Sequence, residues 1–334
     1  MATRKKKREK VVITGICGAL GKLLALHLHK DFDVIGVDRR PFYDRPKDIN
    51  HLRLDLRRKS AISRLKKERP DVIIHLGVLR NPLKHKGKEK AIHLNIESTS
   101  KLMALAEQIK VRKFVFLSSA NLYGPSPTSS GFLTEDTPLH GANRSPEIRD
   151  LVSLDMMLQG LFWKAPNIES VILRPVHIVG PDLNNAPSRY IRQGNVPTIM
   201  GFDPVLQLIH QDDMVRALRA SLKPKVKGVY NIVGQGQAPL SRILMFLGKK
   251  SYPVPGFIFR GLLQRAFKYH LTSFPPGELD HLKYTCLVDD QRAKKDMGFT
   301  PEKSMTDTLI DLLDPYPLLP VVRSGERKAY GVGS

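Results

Sequence analysis

Val11-Val12-Ile13-Thr14-Gly15-Ile16-Cys17-Gly18-Ala19-Leu20-Gly21 is the stretch that decides the fold of this chain. A short strand-like apolar run ends in glycines spaced G-x-x-G-x-x-G, and a helix-like amphipathic pattern follows at once. Each glycine answers a physical need. The first permits a tight turn, and the middle one lets backbone N–H groups approach a pyrophosphate at the helix N-terminus. The last lets the helix pack on the strand. Asp38 ends the second strand-like run, 17 residues after Gly21. A carboxylate there accepts from adenine ribose hydroxyls and repels a 2′-phosphate. The loop therefore predicts a dinucleotide site, with NAD favoured over NADP. Arg39 and Arg40 follow directly and keep NADP open, because they can hold such a phosphate.

Outward from this loop, β-rich runs alternate with helix-length amphipathic stretches. The pattern predicts strands over 11–14, 33–37, 52–55, 72–76, 114–118 and 171–174, and helices over 20–29, 60–67, 92–109 and 147–163. Strand–helix alternation implies right-handed crossovers and a parallel sheet, an α/β fold of the doubly wound Rossmann type. After Pro181 the rhythm breaks and Pro, Gly and Asn become frequent. A strand over 228–233 is expected to rejoin the sheet. The expected division is a basic tail over 1–10, a dinucleotide domain over 11–181 with about 209–234, a small ligand-binding α/β lobe over about 182–208 and 235–320, and a tail over 321–334. Ligands in such folds bind between sheet edge and lobe.

Composition narrows the function classes. The formal net charge is +22 over 334 residues. Residues 4–10 carry six basic residues and Glu9, so most of the charge belongs to the body of the chain. A surface of that sign attracts phosphates, anionic lipid or nucleic acid. No RNA-binding aromatic motif is visible, so nucleic acid ranks below an anionic membrane surface. Cys17 and Cys286 are too few for a disulfide framework or a zinc cluster and suit a reducing cytosol. The 11 histidines show no metal-ligand spacing, so no metal is expected. No run approaches the length of a membrane span. A cytoplasmic protein is expected, with membrane association as the alternative.

An ordered series of segments resembles the extended short-chain dehydrogenase/reductases of the NAD-dependent epimerase/dehydratase type. It comprises TGICGALG at 14–21, VDRR at 37–40, LDL at 54–56, IIHLG at 73–77, LNIESTSKLMALA at 94–106, FVFLSSANLYG at 114–124, LRPVHIVGP at 173–181, LIHQDDMVRAL at 208–218 and GVYNIVG at 228–234. The resemblance covers about residues 10–315. It implies that the loop residues Gly15, Cys17, Gly18, Ala19, Leu20 and Gly21 hold the cofactor with Asp38 and Arg39. It places Asp55 and Leu56 at the adenine, and Leu76 and Gly77 along the cofactor. Asn95 would lie behind the site, with Ser118 and Ser119 beside the nicotinamide. Pro175 and His177 would close that side. It also implies a small-molecule substrate, and a homodimer through the helices at 92–109 and 147–163.

Two departures set this chain apart. SPEIRDLVSLD at 145–155 stands where the family has SPYxxxKxxxE, so Glu147 replaces the proton-transferring Tyr and Leu151 the Lys that tunes it. Nucleotide-sugar members carry an Arg shortly before the IHxxD segment. Here Leu206 or Gln207 stands in that place, without a charge-assisted diphosphate clamp.

Three readings of function follow. The first is an NAD(P)-binding member without Tyr–Lys chemistry. The second is an oxidoreductase, epimerase or dehydratase with an altered catalytic set, Ser119 with His177 or Glu147, acting on a sugar-like or lipid-like substrate. The third is a basic binding module on a membrane or nucleic acid. Asp212 and Asp213 read as N-caps of a helix over 214–222. The stretch 256–270 reads as a core-facing helix with snorkelling arginines, or as a basic amphipathic helix lying on a membrane.

Overall fold

The computed structural model describes residues 8–77, 88–127, 131–143, 146–269 and 276–313. Seven strands form one parallel sheet: β1 (Lys10–Thr14), β2 (Asp33–Asp38), β3 (Asn50–Arg53), β4 (Val72–His75), β5 (Lys113–Leu117), β6 (Glu169–Pro175) and, from much later in the chain, β11 (Gly228–Ile232). Their order across the sheet is β3-β2-β1-β4-β5-β6-β11. The helices between them are α1 (Ala19–Leu28), α2 (Lys59–Glu68), α3 (Lys88–Ile109), α4 (Pro146–Gln159) and the short α5 (Leu161–Lys164). The chain leaves β1 toward β2 on one side and reaches β4 on the other. The strand order therefore reverses between β1 and β4, and the crevice at such a switch point, at the C-terminal edge, is where these sheets bind ligands.

Both faces of the sheet are covered, which is why its strands read as continuous apolar runs. Val11, Ile13, Val115 and Leu117 point to one side, into a core shared with Leu24 and Leu28 of α1. Val12, Ile73, Phe114 and Phe116 point to the other, against Leu102 and Leu105 of α3 and Leu154 and Leu158 of α4.

The remainder forms a lobe at that edge. Its elements are β7 (His177–Val179), α6 (Ala186–Arg192), β8 (Asn195–Ile199), β9 (Val205–Leu206), β10 (Leu208–His210), β12 (Ala238–Pro239), α8 (Leu240–Phe246), β13 (Lys250–Val254), α9 (Gly256–Lys268) and α10 (Met305–Leu313), while α7 (Gln211–Ala220), which follows β10, packs elsewhere. β8 pairs in parallel with β13, and β9 antiparallel with β12. A third core of Ile191, Val196, Ile199, Leu240, Ile243, Leu263 and Leu309 holds these pieces together. α7 packs back on α1 and belongs with the sheet.

Several boundaries differ from the sequence reading. The helix expected over 147–163 breaks at Gly160, leaving Trp163 87% exposed on α5. The helix expected over 214–222 starts earlier, at Gln211, and its N-cap is His210, whose Nδ1 accepts from the Asp212 N–H at 3.2 Å. Asp212 and Asp213 sit in the first turn instead. Asp213 accepts from the backbone N–H groups of Glu302 and Lys303, tying the C-terminal segment to α7. The expected tails fall outside the described residues except for 8–10, where Lys10 opens β1.

Candidate functional site

The glycine loop adopts the conformation its spacing demands. Gly15 has φ +73°, and its N–H donates to the Val37 carbonyl at 2.8 Å. A Cβ on Gly15 would stand 2.8 Å from the Gly77 Cα, and one on Gly21 2.5 Å from the Gly15 carbonyl oxygen. The loop is thus pressed between the start of α1 and the loop after β4. Gly18 is the N-cap of α1 and supplies no side-chain cap, and the first turn holds no acidic residue. The first backbone N–H groups of a helix have no partner within it, and the dipole there favours negative charge. Ala19 and Leu20 begin this turn and pack their side chains on the core.

Asp38 lies under the loop. Its Oδ2 accepts from the Cys17 N–H at 3.2 Å and from Arg40 Nη2 at 3.0 Å, and its Oδ1 accepts from Arg40 N–H and Nε. Burial alone would raise this carboxyl, but the donors from Arg40 outweigh it and hold it below the usual carboxylate range. Burial and the neighbouring Asp38 charge push the Cys17 thiol up to about 11, so it stays protonated and packs as a small residue. Asp55 follows the same pattern, its carboxylate held by Arg57 Nε at 2.7 and 2.8 Å. Leu56 and Leu76 are half-buried against opposite cores.

The floor of the crevice is a polar relay that the sequence reading missed. Thr14 Oγ1 accepts from the Gly77 N–H at 3.2 Å and lies 2.6 Å from His75 Nδ1, and His75 Nε2 lies 2.9 Å from Thr99 Oγ1. A consistent tautomer has Thr14 donating to Nδ1 and Nε2–H donating to Thr99. The relay binds β1, β4 and α3 together beneath Gly15 and Gly77. Asn95 is buried on the same helix one turn earlier, and its carbonyl accepts from Ser98.

Residues expected at the nicotinamide end divide into two groups. Ser118 is fully buried and donates to Asp155 Oδ2 at 2.6 Å. Asp155 also pairs with Arg174, at 3.1 Å to Nε and 2.7 Å to Nη2. Arg174 continues to the Tyr123 hydroxyl, which donates to Asn231. The Ser118 hydroxyl is therefore committed to a buried network running from α4 to β11. Pro175 is buried at the end of β6, in register with Ile232. Ser119 caps the short 3₁₀ turn Ala120–Tyr123 by accepting from the Asn121 N–H at 3.2 Å.

His177 does face a cleft. It lines the space between sheet edge and lobe together with Ala120, Asn121, Leu206, His281, Tyr284 and Cys286. Its ring meets His281 edge-on at 5.6 Å, and burial pushes its pKa down to about 4. Gln207, in the place of the diphosphate-clasping Arg, exchanges two hydrogen bonds with the Val288 backbone, at 2.9 and 3.1 Å. Leu151, in the place of the Lys, is buried among apolar neighbours on α4. Glu147 lies in the first turn of α4, and its side chain falls outside the described residues. His281, Tyr284 and Cys286 were not anticipated, since they come from an irregular segment without periodicity.

A parallel sheet with a glycine loop, an acidic residue closing β2 and a lobe over the C-terminal edge defines a nucleotide-binding α/β protein. The profile of the NAD dependent epimerase/dehydratase family matches residues 11–233, and the chain belongs to that family. It is 27% identical to an uncharacterized protein of Mycobacterium tuberculosis, over 96% of this chain and 89% of that one. It is 26% identical to UDP-glucose 4-epimerase of Bacillus subtilis, over 79% of this chain and 81% of that one. Among solved structures, UDP-glucuronic acid 4-epimerase from Bacillus cereus, in complex with UDP-glucuronic acid and NAD, superposes with a TM-score of 0.72. That match covers 92% of this chain and 98% of the other at 22% identity, a likeness of fold.

Proposed function

We propose that this protein binds NAD in the crevice between the loops after β1 and β4, and holds a small molecule in the adjoining cleft without the Tyr–Lys proton transfer of its family. The observation that carries the reading is the pairing of an intact cradle with a buried apolar Leu151. Gly15 and Gly21 leave no room for side chains, α1 begins without a side-chain cap, and Asp38 is ionised beneath it. Gly15, Gly18 and Gly21 would admit the pyrophosphate, Asp38 would accept from the adenine ribose, and Asp55 would border the adenine. When bound, NAD supplies a hydride acceptor. Leu151 offers no hydrogen-bond donor to a nicotinamide ribose. Asp38 beside a 2′-phosphate would repel it, which favours NAD over NADP.

The division of labour in this reading gives the cofactor to 11–181 with 209–234, and the small molecule to 182–208 and 235–320. Gln207, tied to Val288, provides no cationic clamp for a diphosphate. A sugar-like or lipid-like ligand of low charge fits that wall better than a nucleoside diphosphate sugar. A homodimer through α3 and α4 belongs to the same reading, with Met156 62% exposed on α4.

An altered catalytic set has one supporting observation, the place of His177 in the cleft. Burial holds its pKa down, so the imidazole is neutral at pH 7 and makes a poor proton donor there. Binding without ordinary turnover is the better-supported reading. Calorimetric titration with NAD, alongside an assay of nicotinamide reduction over a panel of sugars, sugar nucleotides and lipid alcohols, tests it. Saturable binding without turnover is expected. Robust turnover that is lost in His177→Ala would replace it with the altered-enzyme reading.

A further inference from the structure

α9 carries apolar side chains on two opposite sides, and the inward ones pack in the interior. Leu263 and Phe267 turn inward, 7% and 6% exposed, and Leu263 joins the lobe core. The opposite side presents Phe257 at 81%, Leu262 at 56% and Ile258 at 43% exposure. A Cβ on Gly261, between them, would meet nothing within 4 Å, so this face stands clear of the other described residues. The lobe is held by the inward side, and the outward apolar side chains contribute nothing to that core. Exposed large apolar residues that cluster on one element mark a docking surface.

The same edge of the lobe extends the patch. Val254, two residues before α9, accepts from the Met200 N–H at 3.0 Å, and Met200 is 53% exposed. Tyr252 on β13 is 50% exposed.

The stretch of chain that carries this face is basic. From 214 to 277 the chain contains no Asp or Glu, while Arg242, Lys249, Lys250, Arg260, Arg265 and Lys268 lie on or beside these elements. Arg260 is drawn to Asp280 at 3.2 Å, and Arg265 is exposed on the outward side. A second copy of the chain docked here about a two-fold axis would set these cations against each other. A nucleic acid would engage the cations and leave Phe257 and Leu262 in water. Basic side chains flanking exposed apolar ones on a helix suit the boundary between anionic headgroups and acyl chains.

We propose that the outward face of α9 seats the protein on an anionic phospholipid bilayer, with Phe257, Ile258 and Leu262 entering the headgroup–acyl boundary and Arg265 meeting lipid phosphates. α9 rests on the turn Pro276–Leu282 through the Arg260–Asp280 pair, and His281 of that turn lines the cleft. Docking therefore brings the lobe wall of the cleft to the bilayer. The proposal does not depend on the NAD reading.

Sedimentation of the full chain with phosphatidylcholine vesicles, with and without one quarter phosphatidylglycerol, at low and high salt, tests it. The anionic vesicles are expected to carry the protein down and the neutral ones much less. Phe257→Glu with Leu262→Glu is expected to lower the partition at least about tenfold, and Arg265→Ala about fivefold. Melting temperature and circular dichroism confirm that each variant is folded. Absence of binding to anionic vesicles overturns the proposal, as does equal binding by the apolar double variant. Self-association that the double variant abolishes, without vesicle binding, assigns the face to a second copy. Capture by poly-glutamate that matches vesicle binding and ignores the double variant assigns it to an acidic polypeptide.

Discussion

The guanidinium of Arg40 closes on the carboxylate of Asp38, with Nε 3.2 Å from Oδ1 and Nη2 3.0 Å from Oδ2. The acid that should meet the adenine ribose is thus held ionised and aimed by the residue two positions on. Arg40 is 62% exposed in its side chain while Asp38 is 9% exposed, so the arginine can swing aside and the acid cannot.

That asymmetry predicts unequal effects on NAD affinity. Asp38→Ala removes a charged acceptor and should weaken NAD at least about tenfold, corresponding to about 1.5–3 kcal/mol. Arg40→Ala removes a surface pair worth up to about 1 kcal/mol and should change affinity within about fivefold. Calorimetry on both variants checks this; the reverse ranking would move the ribose contact away from Asp38.

Gly15→Ala and Gly21→Ala should each destabilise the fold by about 1–3 kcal/mol and abolish NAD binding. The added methyl meets backbone within 2.8 Å at Gly15 and 2.5 Å at Gly21, and backbone cannot yield as a side-chain tip does. Gly261→Ala, in open space within α9, should stabilise by about 0.5–1 kcal/mol. Denaturant unfolding of the three variants reads both signs.

The pair Asp155–Arg174 is fully buried, with side chains 0% and 2% exposed. Removing one partner leaves an uncompensated charge, so Asp155→Ala should cost about 3–5 kcal/mol. Ser118→Ala removes a single donor to that carboxylate and should cost about 1–3 kcal/mol, with NAD affinity nearly unchanged. A large loss of NAD affinity in a still-folded Ser118→Ala protein would show that the hydroxyl touches the cofactor.

His75 makes a pH prediction. Burial lowers its pKa from 6.5 to about 4, so between those values the unfolded chain binds a proton that the folded one refuses. Its contribution is complete above about pH 6.5 and is lost as the pH falls toward 4, by roughly 3 kcal/mol in all. His75→Gln should flatten the stability profile over that window relative to the wild type. An unchanged slope would mean that His75 is not held neutral.

The sheet was legible in the sequence because both of its faces are buried, so 11–13, 72–74 and 114–117 read as unbroken apolar runs. The glycine loop was legible because its spacing is dictated by backbone contact. The relay Thr14–His75–Thr99 was not legible. A polar residue inside a strand finds its partners across elements, and spacing along the chain does not record them. Arg40 illustrates the same gap, reading as a phosphate holder in sequence and lying on Asp38 in space. The lobe wall with His281 and Tyr284 comes from irregular chain, where neither period applies.

Calorimetric titration of the full protein with NAD, repeated with NADP, tests the central claim most directly. The account predicts saturable binding of one NAD per chain in the micromolar range, weaker binding of NADP, and loss of NAD binding in Gly15→Ala. Absence of binding at millimolar NAD by the folded wild-type protein would contradict it, leaving a cradle that no longer serves its cofactor.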